Sequence, residues 1–116
     1  MLKDRLREEL LKQAKSGVPA TYKNLADRLE LAPPSTIHRV TEALEQLMDE
    51  DIAAGRPLLA ALAVSKVASG IPARGFFLKA ERSGIFSGDP RGPEAFDFHK
   101  RELQRAFCFY GRRRLS

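Results

Sequence analysis

Residues 20–31 (Ala20-Thr21-Tyr22-Lys23-Asn24-Leu25-Ala26-Asp27-Arg28-Leu29-Glu30-Leu31) and the Pro33-Pro34-Ser35-Thr36 run behind them constrain the fold more than any other part of the chain. Thr21 is a natural N-cap, and Leu25, Ala26 and Leu29 form the inner stripe of a short helix. Two successive prolines cannot continue that helix but can stand at the start of another. From Ser35 onward, Ile37, Val40, Leu44, Leu47, Met48 and Ile52 keep helical spacing as far as Gly55, a C-cap residue. A short helix, a sharp turn and a long helix opening on small hydroxyl residues spell a helix-turn-helix.

The flanking segments supply a frame for that motif. Leu2, Leu6, Leu10 and Ala14 recur every four residues between charged side chains, which predicts an amphipathic helix stopped at Ser16-Gly17. Val18-Pro19-Ala20 reads as an extended link. Residues 58–67 are apolar and unbroken between Pro57 and Gly70, a length typical of a strand buried on both faces. Ala60, Ala61 and Ala63 also allow a short buried helix there, and strand is the preferred reading. A turn at 69–72 leads to a helix over 75–82, with Phe76 and Phe77 as core residues. Beyond the breaker-rich loop 87–93, a last helix opens on Pro93 and Glu94 with Phe96, Leu103, Phe107 and Tyr110 on one stripe. Phe98 and Phe109 fall off that stripe, compatible with a partner interface or with burial against the first helix.

The expectation is therefore an α+β, mostly helical fold: a winged-helix-like helix-turn-helix with a short sheet and additional C-terminal helices. One domain spans 1–110, with the helix-turn-helix and strand in 1–67 and a turn and helical extension in 68–110. Residues 111–116 form a basic tail. A chain of 116 residues has room for one modest core.

Charge narrows the choice of partner. The net charge of +5 weakly favours polyanions, and its distribution says more. Residues 32–55 carry one cation, Arg39, against Glu42, Glu45, Asp49, Glu50 and Asp51, so the long helix is acidic. The excess of Lys and Arg lies mostly in 56–116. The N-terminus has no apolar signal segment, and the longest mostly apolar stretch, 57–64, is too short to span a bilayer. A single cysteine, Cys108, gives neither an internal disulfide nor a Cys-rich zinc site. A cytoplasmic protein without membrane, metal or cofactor is the simple expectation.

Gly17-Val18-Pro19-Ala20-Thr21-Tyr22-Lys23-Asn24-Leu25-Ala26 resembles the winged-helix segment of alkylguanine-DNA alkyltransferases and of the catalytically dead alkyltransferase-like proteins. In those families a Thr-Tyr pair opens the first helix of the motif, the Tyr lies against a DNA phosphate, and an Arg from the second helix enters the base stack. The resemblance implies that Tyr22 is the phosphate contact and that His38 or Arg39 stands near the Arg. It ends where the chemistry would be. The Pro-Cys-His-Arg run required for alkyl transfer is replaced by Leu58-Leu59-Ala60-Ala61-Leu62-Ala63-Val64-Ser65-Lys66, without Cys or His. A second stretch, residues 57–65 followed by Gly70-Ile71-Pro72-Ala73-Arg74-Gly75-Phe76-Phe77, looks like a bacterial family of small uncharacterised winged-helix-like proteins. That likeness implies a fold and supplies no activity.

Candidate contacts follow from the motif. Ser35, Thr36, His38, Arg39 and Glu42 line the start of the second helix, where such helices meet base edges, and Arg39 suits guanine. Tyr22, Lys23 and Arg28 flank it as phosphate contacts, Lys66 and Arg74 stand on a basic wing around 70–75, and Arg112, Arg113 and Arg114 form an electrostatic arm. The bland readings are a capped surface helix, a solvated helix face, a tight turn and a solvated terminus. His38 and His99 lack ligand spacing and read as surface or interfacial residues, and Cys108 in its aromatic run reads as an inert buried thiol. With no nucleophile, base and orienting group to assemble, the leading expectation is non-catalytic binding of double-stranded DNA. The runner-up is a protein-interaction or assembly module that docks through Glu42, Glu45 and Asp49.

Overall fold

The computed structural model describes residues 2–65 and 70–111. Leu6, Leu10 and Ala14 bury one face of α1 (Leu2–Ser16), which ends at Gly17 in the left-handed conformation. Strand β1 (Ala20–Thr21) leads into α2 (Tyr22–Arg28), whose first turn is capped by Thr21 Oγ1 accepting the Asn24 N–H at 3.1 Å. A turn over 29–35 separates α2 from α3 (Thr36–Ala54). Neither proline enters α3, and Ser35 takes a left-handed conformation with no side-chain capping bond. The inner stripe of α3 is Val40, Ala43, Leu44, Leu47, Met48 and Asp51, while Ile37 at its start is 45% exposed.

The segment expected as a strand is mostly something else. Residues Leu59–Leu62 form a 3-10 helix, and only β2 (Ala63–Val64) is extended. The fold is α+β and mostly helical, and β2 pairs in parallel with β1, Ala20 opposite Ala63 and Thr21 opposite Val64. The physical reason is the neighbourhood. Helices α1, α3 and α5 (Pro93–Tyr110) surround this segment, so a longer strand would leave its backbone polar groups buried and unpaired. Side chains satisfy them instead. Leu58 N–H donates to Glu102 Oε2 at 2.8 Å, and Leu59 N–H to Asp51 Oδ2 at 3.1 Å. The Ala61 carbonyl accepts from His99 Nε2 at 2.9 Å, and the Pro57 carbonyl from the Tyr110 hydroxyl at 2.7 Å.

That cradle explains why α5 is turned relative to expectation. Its buried face is Ala95, Phe98, His99, Glu102 and Ala106. Phe96 points to solvent, and Leu103, Phe107 and Tyr110 are only partly covered. Ala95 and Ala106 are fully buried on this face, and His99 and Glu102 meet the backbone of the buried segment. Apolar size alone favours the other stripe; unpaired backbone groups outweigh it. Helix α4 (Arg74–Arg82) presents Phe76 and Phe77 to the core as expected, in an aromatic cluster with Phe86 and Phe98. Cys108, expected buried, is exposed, and His99, expected at a surface or interface, is buried.

Burial lowers the His99 pKa below its ordinary 6.5, although the bond to the Ala61 carbonyl opposes the shift. A carbonyl only accepts, so Nε2 carries the proton in the neutral ring. Because the folded value lies below the unfolded one, this contribution is complete above 6.5 and is lost as pH falls through the folded value. Urea unfolding should therefore occur at lower denaturant at about pH 5.5 than at about 7.5, with a smaller difference in His99→Gln. Identical pH profiles for the two chains would place the titration elsewhere.

Candidate nucleic-acid interface

The residues of the expected helix-turn-helix do not all reach the same surface. Tyr22 is 8% exposed, and its hydroxyl oxygen accepts the Ala73 N–H at 2.7 Å, tying α2 to the start of α4. Burial pushes its phenol up to about 12, against the effect of the Ala73 N–H, so it stays protonated at neutral pH. The ring expected on a phosphate is thus a structural tie. Arg28 is also committed inward: Nε and Nη2 lie 3.1 and 2.9 Å from Glu9 Oε1, and Nη1 lies 2.6 Å from Gln13 Oε1. Its charge fastens α2 to α1 and is spent there.

Lys23 remains exposed, with a loose pair to Asp27 at 3.2 Å. Exposed i,i+4 pairs of this kind are worth only a few tenths of a kcal/mol, so its ammonium exchanges partners easily. At the start of α3, Ser35, His38 and Arg39 are exposed and Thr36 is half-buried. His38 Nε2 lies 3.4 Å from Glu42 Oε2, and Arg39 reaches back to the Ala32 carbonyl at 3.3 Å. Arg74 is exposed at the first position of α4. Thr21, Lys23, Asn24, Ile37, Thr41 and Ala73 border one groove between α2, the first turns of α3 and the start of α4. Lys66, Arg112, Arg113 and Arg114 lie outside the described residues. The expected wing at 70–75 is instead a turn over 70–73, closed by Ser65 N–H on the Ile71 carbonyl at 2.8 Å, that runs directly into Arg74 and Gly75 in the first turn of α4.

The carboxylates of α3 sort by position. In its second half, Glu50 pairs with Lys3 and, at 2.8 Å, with Arg7; Asp49 lies 2.8 Å from Lys79; Asp51 lies 3.0 Å from Arg56. Lys3 and Arg7 hold the Glu50 carboxyl below its ordinary value. The acidic half of α3 therefore serves α1, α4 and the segment after α3, and Asp49 is already engaged on the face expected to dock a protein. Asp51 and Glu102 are not among the residues the sequence singles out as sites, and His99 reads there as a surface or interfacial residue although it is buried. Their signal was their spacing: Asp51 stands four residues after Leu47 on the buried stripe, and Glu102 four after Phe98.

Among the described residues, no group of three or more His, Cys, Asp or Glu side chains could hold a metal ion, and no helix is long and apolar enough to cross a membrane. No family model, curated protein or solved structure matches the chain.

Proposed function

We propose that this chain is a non-catalytic module for double-stranded DNA, a winged-helix type in which the N-terminal end of α3 meets the major groove. The observation that carries the reading is the division of α3. Its first turn leaves His38 and Arg39 exposed, whereas three of its five acids, Asp49, Glu50 and Asp51, are already paired with Lys79, Lys3, Arg7 and Arg56. Shallow insertion of that end places Arg39 at base edges, while Lys23 on one side and Arg74 on the other hold phosphates. Lys66 and the tail arginines join this set by sequence alone. His99 serves a backbone carbonyl and His38 stands exposed on another helix, which supports a binding role without a reaction.

The test is fluorescence anisotropy with a short duplex of random sequence at low salt. The Lys23→Ala/Arg39→Ala chain should bind at least about tenfold more weakly, since a single lost base contact costs about 1–3 kcal/mol. Equal affinity would remove this interface. A wild-type chain that binds no duplex at low salt would remove the DNA reading itself.

A further inference from the structure

Of the five carboxylates on α3, four face a cationic or basic partner: Glu42 faces His38, Asp49 Lys79, Glu50 Lys3 and Arg7, and Asp51 Arg7 and Arg56. Among the described residues, Glu45 has no ion-pair partner. It is half-buried and lines a cavity of about 170 Å³ at the junction of α2, α3 and α4, where it is the one charged residue in the lining. Tyr22, Met48, Ala60 and Phe76 form much of the remaining wall, and Thr41 adds a hydroxyl. Thr41 Oγ1 donates to the His38 carbonyl at 2.8 Å, so its lone pairs stay available to a donor inside the cavity.

Gly75 bounds the same space. A Cβ at this position would stand 3.4 Å from Glu45 Oε2, at the near limit of ordinary contact. The missing side chain leaves room beside the carboxylate.

These features select a ligand by size and charge. An apolar cavity of about 150 Å³ accommodates a benzene ring. A carboxylate beside low-dielectric walls attracts a cation more strongly than it would in water and repels an anion. We propose that the cavity binds a small organic cation, an ammonium or amidinium on an apolar body of about one ring, with Glu45 as its counter-ion and Thr41 as an acceptor. The site stands independently of the DNA reading.

Benzylammonium is the probe, with benzyl alcohol and benzoate as neutral and anionic controls of similar shape, titrated at constant ionic strength into the full chain and followed by amide NMR. The expected result is saturable shifts at Tyr22, Thr41, Glu45 and Gly75. Benzylammonium should bind about tenfold or more tightly than benzyl alcohol, the scale of one added charge contact at partial exposure, and benzoate should give no saturable shifts. Glu45→Gln, nearly isosteric, should abolish the preference for the cation. Gly75→Ala, which favours the helix it sits in, should weaken binding while leaving the fold intact. No saturable shift, as expected if Glu45 serves only the positive end of α4, would overturn the proposal. Equal affinity for cation and alcohol, or a preference unchanged in Glu45→Gln, would overturn it as well.

Discussion

Asp51→Ala should lower the free energy of unfolding by about 3–5 kcal/mol, the range for breaking a buried, hydrogen-bonded charge pair. Asp51 is fully buried. Its Oδ1 accepts from Arg56 Nε at 3.2 Å and Nη2 at 3.0 Å, and its Oδ2 accepts the Leu59 N–H at 3.1 Å. Removing the carboxylate strands that N–H inside the core and leaves Arg56 and Arg7 without the anion between them. Asp51→Asn keeps an acceptor for Leu59 but loses the charge, so it should fall between alanine and wild type. Urea unfolding followed by circular dichroism measures both. A loss below about 1 kcal/mol for alanine would mean that the 3-10 segment finds other partners and that the cradle is dispensable.

The proposed DNA interface carries the second large effect. Each phosphate neutralised by Lys or Arg contributes about −0.9 to the slope of log affinity against log salt. With Lys23, Lys66 and Arg74 on phosphates, affinity should drop roughly fortyfold between about 50 and 200 mM salt. Arg112, Arg113 and Arg114 steepen this further, and a chain ending at Gly111 should lose up to about 2.7 from the slope. Anisotropy titrations at four salt concentrations give the number directly. Binding insensitive to salt would contradict a phosphate-contacting surface. An unchanged slope without the tail would confine the contacts to the folded residues.

The same structural feature separates these two effects. Cations that pair with buried or half-buried acids, Arg7, Arg28 and Arg56, hold helices together, and their loss should register in stability. Lys23, Arg39 and Arg74 are exposed and pair with no buried acid, so on the proposed DNA reading their loss should register in binding. Net charge is blind to this division, because it counts both kinds alike.

Sequence periodicity located the helices well, since each is amphipathic and an apolar stripe follows from spacing alone. The face of α1, the α3 stripe from Val40 to Met48, the Thr21 cap, the stop at Gly17 and the core placement of Phe76 and Phe77 were legible in this way, whereas Ile37 is exposed and Ile52 only half-buried. Three features were not. Residues 59–62 lie in an apolar run of strand length between Pro57 and Gly70, but they are surrounded by helices, and no strand neighbours them to pair with. The rotation of α5 depends on where the Leu58 amide and the Ala61 carbonyl sit, so Glu102 and His99 displace Phe96 from the interior. Tyr22 and Arg28 look like surface contacts in a linear motif, but partners 51 and 19 residues away claim them.

By itself, then, the sequence determined a helical domain built around a short helix, a turn and a long helix, because hydrophobic spacing and chain-breaking residues act locally. Only the tertiary structure decided which polar groups serve the fold and which stay exposed to solvent. That choice depends on satisfying every buried backbone donor and acceptor, and those groups come from segments far apart in the chain.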